Sequence, residues 1–428
     1  MVDGKYNKPT IFFINMIERR PSSEIRVVHP SFFGFHDAFL RGLKEELSSV
    51  GRWNVDIARF KDGSPWLHVI PHVGTEKDLD ILPARCAYVP FWLVPPLADS
   101  LYNVLQIGNA LTHQERNRPP LVERAIGICP HAAFRQDRDS NVPEDKIRRV
   151  GEAIDAEVIA ESLAANGLRE LVLFDPHGHE VLNYLNKAGI SYVPLTAIPL
   201  FVDYLINRNL ITENSAVVSL DKGNLQRCLH LLKLLNLDPL SQLVVLDKRR
   251  TGHNQVGDSE LLWGNPDCKD IIISDDILDT GSSIGKTCQA LKKFGCGRIV
   301  VMVTHGVLSY PARENLIHLL DQKIIDEIVL TDSLPQAIYT LEGIEDITIL
   351  SAVPIMAEVA KAVALSSVEE VRNNKEIAPF ILQLDDKEAV WNQFIQDMAA
   401  RRVERVSQVP IDHTVKNFIV DVPPSTAQ

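Results

Sequence analysis

Two adjacent carboxylates and a loop of small residues form the strongest chemical signal in the sequence. The apolar run 271–274 leads into Asp275 and Asp276, and a helix-period segment begins after the loop. The loop between them reads Asp279, Thr280, Gly281, Ser282 and Ser283. Ligands of open parallel sheets bind at the carboxyl ends of strands, so we expect both aspartates in a cleft.

Each part of this segment suits one part of a sugar phosphate. Paired carboxylates accept hydrogen bonds from vicinal sugar hydroxyls, or hold a divalent metal ion. Small residues before a helix expose backbone N–H groups where a phosphate is favoured. The combination therefore predicts a ribose phosphate site.

Two other interpretations of the segment are weaker. An ordinary N-capped turn would leave adjacent acids at the end of an apolar strand, which is costly without a ligand. The run Gly281–Thr287 also looks like a nucleotide P-loop, but it has three residues between its glycines instead of four. We therefore expect Lys286 on the exposed face of the helix.

The composition excludes several classes of protein. The 428 residues are 45% hydrophobic and 23% charged, which is typical of globular domains and not of disordered or collagen-like chains. The net charge is −12, and the longest basic run is Lys248-Arg249-Arg250, so we expect no nucleic acid partner. Six cysteines without a CxxC pair indicate reduced thiols, not a zinc site or a disulfide framework.

Membrane insertion and export are not expected either. The most apolar stretch, 87–98, contains three prolines and is shorter than the roughly 20 residues that a spanning helix needs. The first five residues are polar where a signal peptide would become apolar. We expect a cytoplasmic protein that does not bind membranes.

The elements that must position the aspartates alternate along the chain. Predicted strands are 10–16, 53–60, 86–94, 125–129, 170–174, 191–195, 216–220, 243–247, 271–274, 298–304, 327–330 and 347–352. Helix-period segments lie between them, for example 38–47, 101–111 and 152–165, which predicts parallel sheets covered on both faces. Twelve strands exceed one comfortable sheet, so we divide the chain into 1–205, 206–370 and a C-terminal extension, 371–428.

The loop 279–283 resembles the phosphoribosyl-diphosphate motif of the phosphoribosyltransferase fold. Six further segments, in the same order, resemble the ribose-phosphate diphosphokinases, also called phosphoribosyl pyrophosphate synthetases. These segments are Arg59–Gly63, Arg135–Arg138, Asp175–His177, Asp221–Gly223, Leu246–Arg250 with Asn254, and Thr304–Val307. The resemblance implies an α/β fold of two similar domains, each a parallel sheet flanked by helices, with a mostly helical C-terminal tail.

The resemblance also implies an activity and its partners. Family members use Mg²⁺ and transfer the β,γ-diphosphoryl group of ATP to the anomeric hydroxyl of ribose 5-phosphate, releasing 5-phosphoribosyl 1-diphosphate and AMP. They form homo-oligomers, commonly dimers that stack into hexamers. We therefore expect ATP and ribose 5-phosphate as substrates of this chain and Mg²⁺ as its cofactor.

Matching positions imply a role for each candidate residue. Lys248 and Arg250 match the catalytic cations, which stabilise charge on the transferred group. His177 and Asp221 match positions that help to hold Mg²⁺. The ATP-binding positions are Phe60, Asp62, Arg135, Gln136 and Asp137, the first two reaching the adenine from a neighbouring subunit. Ribose 5-phosphate is expected at Asp275, Asp276, Asp279, Thr280, Gly281, Ser282 and Ser283.

Departures from the family pattern leave alternatives open. Ser64 replaces a glutamate that faces the adenine amino group, and Phe134 replaces a small residue beside the nucleotide. These changes permit a different diphosphate donor, or a bulkier acceptor such as ADP-ribose. A non-catalytic regulatory paralogue would lose the cations or carboxylates that this chain keeps. A phosphoribosyltransferase would share the 279–283 loop without needing the segments at 135–138 and 304–307.

Overall fold

The structure of the chain is a computed structural model, and the residues that it describes form eleven ranges. They are 11–19, 25–26, 50–59, 65–70, 84–93, 97–114, 120–132, 154–252, 255–334, 336–383 and 387–408. Within them the chain forms two sheets, and helices join most of the successive parallel strands from β5 onward. The predicted helix at 38–47 lies outside the described residues.

The first sheet contains eight strands. They are β1 (Ile11–Arg19), β2 (Ile25–Arg26), β3 (Val50–Arg59), β4 (Pro65–Ile70), β5 (Ala84–Pro90), β6 (Val122–Cys129), β7 (Glu170–Phe174) and β8 (Ser191–Leu195). Their order is β4-β3-β1-β5-β6-β7-β8, with β2 beside β1. The pairs β3–β4 and β1–β2 are antiparallel, and all other neighbours are parallel.

The second sheet repeats this arrangement. Its strands are β9 (Ser215–Ser219), β10 (Leu243–Gly252), β11 (Gln255–Trp263), β12 (Asp270–Leu278), β13 (Ile299–Gly306), β14 (Glu327–Thr331) and β15 (Ile347–Leu350). The order is β11-β10-β9-β12-β13-β14-β15, with an antiparallel hairpin, β10–β11, at one edge. Apart from β2, which has no counterpart, the strand order and directions are those of the first sheet, so the two domains are similar, as expected.

Helices cover both faces of each sheet. They are α1 (Leu97–Thr112), α2 (Asp155–Ala165), α3 (His179–Lys187), α4 (Ile198–Asn207), α5 (Leu225–Leu234), α6 (Pro239–Gln242), α7 (Ser282–Lys293), α8 (Ala312–Asp321), α9 (Gln336–Thr340), α10 (Val353–Leu365), α11 (Val368–Arg372) and α12 (Lys387–Gln408). None of those in the described residues is long and apolar enough to cross a membrane.

Alternating side chains of each strand reach different cores. In β5, Ala87 and Val89 pack into the outer core of the first sheet, while Cys86 and Tyr88 join a core between the sheets. This follows from the two-residue period of a strand. Strands buried on both faces read as continuous apolar runs, which is why the sequence predicted them.

Two helices cross between the sheets. After β8, α4 leaves the first sheet, and the hydroxyl of Tyr204 donates to Glu327 and lies 3.1 Å from Thr348 Oγ1 in the second. After β15, α10 makes the reverse crossing and packs on β6 and β7. There the Tyr88 hydroxyl donates to the Ala360 carbonyl over 2.9 Å. The predicted boundary between 205 and 206 lies within α4.

Some predicted boundaries were wrong. The hairpin strands β4 and β11 were not predicted, because their sequences lack a long apolar run. The strand predicted to end at Ser274 continues to Leu278, because β13 pairs with it as far as Gly306. Lys286 is exposed on α7, as predicted.

Candidate functional site

Three neighbouring strands of the second sheet bring predicted site residues to one edge. The strand β9 lies between β10 and β12, with Val218 opposite Val244 on one side and Ile273 on the other. Because all three strands run parallel, their carboxyl ends meet at the same edge. Asp221 follows β9, Asp275 lies near the end of β12, and β10 continues beyond its partner into the hairpin.

Asp275 and Asp276 lie within the strand, not after it. Asp275 pairs with Val303 and Ile277 with His305 of β13, whereas pairing with β9 ends at Ile273. The second acid is linked to the first, since the Asp276 N–H donates to Asp275 Oδ1 over 3.0 Å. Both side chains are partly exposed at this edge.

Asp276 contacts a residue of the first sheet. His177, which follows β7, places Nδ1 2.5 Å from Asp276 Oδ2. The Asp276 side chain is 17% exposed and that of His177 47%. Burial raises the pKa of Asp276, but the hydrogen bond and charge of His177, with Arg227 and His305 farther away, bring this pKa well below its usual range. Asp276 therefore stays ionised.

A buried ion pair joins the two sheets beneath this contact. Asp175 has a φ of +41°, which non-glycine residues seldom adopt, and its carboxylate accepts from three groups. Arg227 Nη2 donates to Oδ1 over 2.8 Å, the Ala197 N–H to Oδ2 over 2.9 Å, and the Thr304 hydroxyl also to Oδ2. Burial raises the pKa of Asp175, yet these partners lower it below the usual value.

His305 extends the polar layer. Its Nε2 lies 3.0 Å from the Asp175 carbonyl oxygen and its Nδ1 2.8 Å from the Ser333 hydroxyl. Since a carbonyl only accepts, Nε2 carries the proton. Burial lowers the pKa of His305, which favours the neutral ring. Trp92 of the first domain donates from Nε1 to the Ser333 carbonyl over 2.8 Å, a second tie between the halves.

Arg227 was not among the predicted site residues. It is buried, its Nη1 lacks a hydrogen-bond partner in the described part of the chain, and the charges of Asp175, Asp276 and Asp275 raise its pKa despite burial. A charged residue between Leu225 and Cys228, on the apolar face of α5, was the signal that could have revealed it.

Asp221 begins a 3₁₀ turn, Lys222–Asn224, at the end of β9. Its Oδ1 accepts from the Asn224 N–H over 3.0 Å, and its carbonyl accepts from the Ser219 hydroxyl over 2.7 Å. The Asn224 side chain in turn donates to the Ser274 carbonyl over 2.6 Å. The turn is thereby fixed to the strand that carries Asp275.

The loop 279–283 has the geometry of an anion site. Gly281, with φ +76°, is the N-cap residue of α7 and makes no side-chain cap hydrogen bond, and the Ser282 N–H has a weak acceptor in Thr280 Oγ1 at 3.4 Å. Asn315 Nδ2 donates to the Thr280 carbonyl over 2.8 Å, and the Ser309 N–H donates to Asp279 Oδ1 over 3.3 Å. Ser282 is exposed at the start of the helix. Uncapped N–H groups there favour a phosphate.

Other predicted residues are less fully described. Lys248 and Arg250 lie in β10, where their backbones pair with Ser259 and Val256 of β11. The predicted nucleotide residues lie outside the described residues: Phe60, Asp62, Arg135, Gln136 and Asp137. Ser64 and Phe134, which suggested an altered nucleotide wall, lie outside them as well.

The donor atoms suit a metal ion that arrives with phosphates. No three His, Cys, Asp or Glu side chains of the described chain form a ready metal site. Asp221 offers a partly exposed carboxylate after β9, and His177 offers an exposed ring beside Asp276. Mg²⁺ is usually bound by one or two carboxylates together with waters and substrate phosphates, so this sparse set fits it.

Comparison with known proteins identifies the family. Residues 258–367 match the family model described as a phosphoribosyl synthetase-associated domain. A ribose-phosphate pyrophosphokinase of Bordetella parapertussis is 30% identical over 287 residues, 67% of this chain and 81% of that protein. One of Marinomonas sp. is 28% identical over 72% of this chain and 87% of that protein.

A solved structure shares the fold. Phosphoribosylpyrophosphate synthetase from Mycobacterium smegmatis superposes with a TM-score of 0.62 at 22% identity, covering 83% of this chain and 99% of that chain. The matched part of the chain is long enough to include both sheets, in agreement with the repeated topology. Together with the sequence relatives, it leads to one conclusion: the chain belongs to the ribose-phosphate pyrophosphokinase family.

Proposed function

We propose that this chain is a ribose-phosphate diphosphokinase. It transfers the β,γ-diphosphoryl group of ATP to the anomeric hydroxyl of ribose 5-phosphate and forms 5-phosphoribosyl 1-diphosphate and AMP. The observation that carries the proposal is the meeting of Asp221, the β10–β11 hairpin and the Asp275–Ser283 segment at one sheet edge. Relatives that align over most of the chain bear the name of this activity.

The acceptor binds at the second sheet. Its 5-phosphate accepts from the N–H groups at the start of α7, where Gly281 lets the backbone approach closely. Its 2- and 3-hydroxyls donate to the carboxylates of Asp275 and Asp276. Held at both ends, the sugar presents its anomeric hydroxyl toward Asp221, and this orientation is the main catalytic contribution.

The diphosphoryl group passes from ATP to this sugar beside the cations of β10. The anomeric oxygen forms a bond to the β-phosphorus, and the bond from that phosphorus to the bridging oxygen breaks. That oxygen leaves on AMP with the electron pair, and the hydroxyl proton passes to water. Lys248 and Arg250 stabilise the negative charge on the diphosphoryl group during its transfer. Asp221 and His177 would hold Mg²⁺, which supplies positive charge against the phosphates when bound.

A ³¹P NMR assay tests the reaction. Purified protein receives ATP, Mg²⁺ and ribose 5-phosphate, or ADP-ribose in place of the sugar phosphate. We expect AMP and a new anomeric diphosphate from ribose 5-phosphate. Product from ADP-ribose alone would mean that the reaction is diphosphoryl transfer but that the acceptor is not ribose 5-phosphate. If neither acceptor yields AMP, the protein is a non-catalytic paralogue.

We also propose that the chain assembles into a homo-oligomer. In this arrangement Phe60 and Asp62 of one subunit reach the adenine held by Arg135, Gln136 and Asp137 of another. Sedimentation velocity measures the oligomer directly. A monomer that is fully active at low protein concentration would contradict the shared nucleotide site.

A further inference from the structure

The last described helix, α12, packs one face against the second domain. Phe394 and Met398, four residues apart, are each 3% exposed, and Val390 and Trp391 pack against the same core. The neighbouring Ile395 points away and is 37% exposed. Helices bury residues spaced by three and four, so this face is a specific docking surface and not a random contact.

The helix contacts the turn that begins at Asp221. The Lys222 ammonium lies 5.5 Å from the centre of the Trp391 ring, a cation–π contact. Lys222 is the next residue after Asp221 and the first of the 3₁₀ turn. A ring over Lys222 therefore restrains the outer side of the turn, while Asn224 fixes its inner side to Ser274.

The same helix contacts the base of the β10–β11 hairpin, which carries the proposed catalytic cations. The rings of Phe394 and Trp263 meet edge to face, with centroids 5.3 Å apart. Trp263 ends β11 and pairs with Val245 of β10, three residues before Lys248. The Trp391 ring lies 5.8 Å from Phe394, which joins the two contacts into one aromatic cluster.

We propose that Trp391 and Phe394 are positioning residues, which hold the Asp221 turn and the β10–β11 hairpin in register with each other. These two elements carry a proposed metal-holding carboxylate and both proposed catalytic cations. The phosphate loop 279–283 has no part in the aromatic cluster. The helix α12 thus acts on the ATP and Mg²⁺ side of the site and leaves the sugar phosphate side alone.

Hydrogen exchange tests the positioning without using activity. The full-length protein is compared with Trp391→Ala, Phe394→Ala and the control Ile395→Ala, which removes an apolar side chain from the exposed face. We expect peptides covering 219–225 and 243–263 to exchange about 3- to 10-fold faster in the first two variants. Peptides covering 279–285 should not change.

Kinetics provide the second readout, and this part rests on the proposed function. Trp391→Ala should raise KM for MgATP or lower kcat by about 3- to 10-fold, with KM for ribose 5-phosphate unchanged. Trp391→Phe, which keeps a ring over Lys222, should have KM for MgATP and kcat close to those of the wild type.

Several results would overturn the inference. They are equal acceleration of exchange in all peptides, no change in any, or equal increases in both KM values. If the wild-type protein makes no AMP, the proposed function fails, and hydrogen exchange alone decides whether α12 restrains the turn and the hairpin. If Trp391→Ala does not fold, Trp391→Leu with the same peptides takes its place.

Discussion

His177 Nδ1 and Asp276 Oδ2 lie 2.5 Å apart, and the two residues come from different sheets. The contact joins a proposed metal-holding residue to a proposed sugar-binding residue. Asp276 therefore has an observed partner, the imidazole, and a proposed one, a sugar hydroxyl. Substitutions on the two sides of this hydrogen bond should have different kinetic effects.

Asp276→Asn should raise KM for ribose 5-phosphate about 10-fold or more, because a charged acceptor for a sugar hydroxyl is lost. His177→Ala should lower kcat without raising that KM, because Asp276 keeps its acceptor atoms for the sugar. Initial rates at varied ribose 5-phosphate distinguish the two. Equal increases in KM would show that the histidine only orients the carboxylate.

Lys248→Ala should lower kcat by about 100- to 1,000-fold, the usual effect of removing a group that stabilises transition-state charge. The proposed oligomer should survive, as measured by sedimentation. Lys293→Ala removes a charge from the exposed end of α7 and serves as the control. A modest loss in Lys248→Ala, matched by the control, would remove this lysine from the mechanism.

Gly281→Ala should raise KM for ribose 5-phosphate and destabilise the fold by about 1–2 kcal/mol. Its φ is +76°, and a Cβ there would lie 3.0 Å from Leu316 Cδ2. Gly343→Ala is a matched control, because its φ is +80° and a Cβ would meet nothing within 4 Å. Thermal unfolding and steady-state kinetics separate the shared backbone cost from the effect on phosphate binding.

Asp175→Asn should lower the free energy of unfolding at neutral pH by about 3 kcal/mol or more, since it leaves Arg227 buried without its counter-charge. The pKa of Asp175 is lowered by folding, so its contribution is complete above the unfolded value near 3.8 and is lost as pH falls through the lower folded value.

Urea unfolding at several pH values measures this effect. The difference between the wild type and Asp175→Asn should be constant from pH 7 to about pH 5 and shrink below about pH 4. A difference that stays the same down to pH 3 would mean that the carboxylate has an ordinary pKa.

Arg124→Ala should destabilise the protein by about 1–3 kcal/mol. Arg124 pairs with both oxygens of Glu170 at 2.8 and 2.9 Å and donates to the Val363 carbonyl over 2.9 Å at the end of α10. Arg169→Ala, a change at an exposed neighbour, is the control in urea unfolding. Equal effects would show that α10 docks without this arginine.

The alternation of apolar runs and helix-period segments was enough to predict the α/β fold, because buried parallel strands leave a continuous apolar signal. The runs 170–174 and 191–195 coincide with β7 and β8. The repeat of one topology in two sheets was expected only from the family resemblance and was not visible in the strand pattern, because topology is set by which strands pair and not by residue identity. The crossing of α4 and α10 depends on contacts between residues more than 100 positions apart, such as Tyr204 with Glu327.

The candidate site was predictable where residues close in sequence do the work. Asp275, Asp276 and the 279–283 loop lie on one strand-to-helix connection. The contact of His177 with Asp276 and the burial of Arg227 against Asp175 were not predictable, because each depends on how two sheets face each other. A local sequence pattern carries no information about how two distant sheets are arranged.

The reciprocal crossing of α4 and α10 makes the order of synthesis matter. The last strand of the first sheet ends at Leu195, but one face of that sheet is covered by α10, which ends at Leu365. A nascent chain that has emerged only as far as the second sheet therefore carries an uncovered apolar surface until residues 353–365 have also emerged. For the same reason, fragments separated near 207–215 should be insoluble alone and regain structure only when they are mixed.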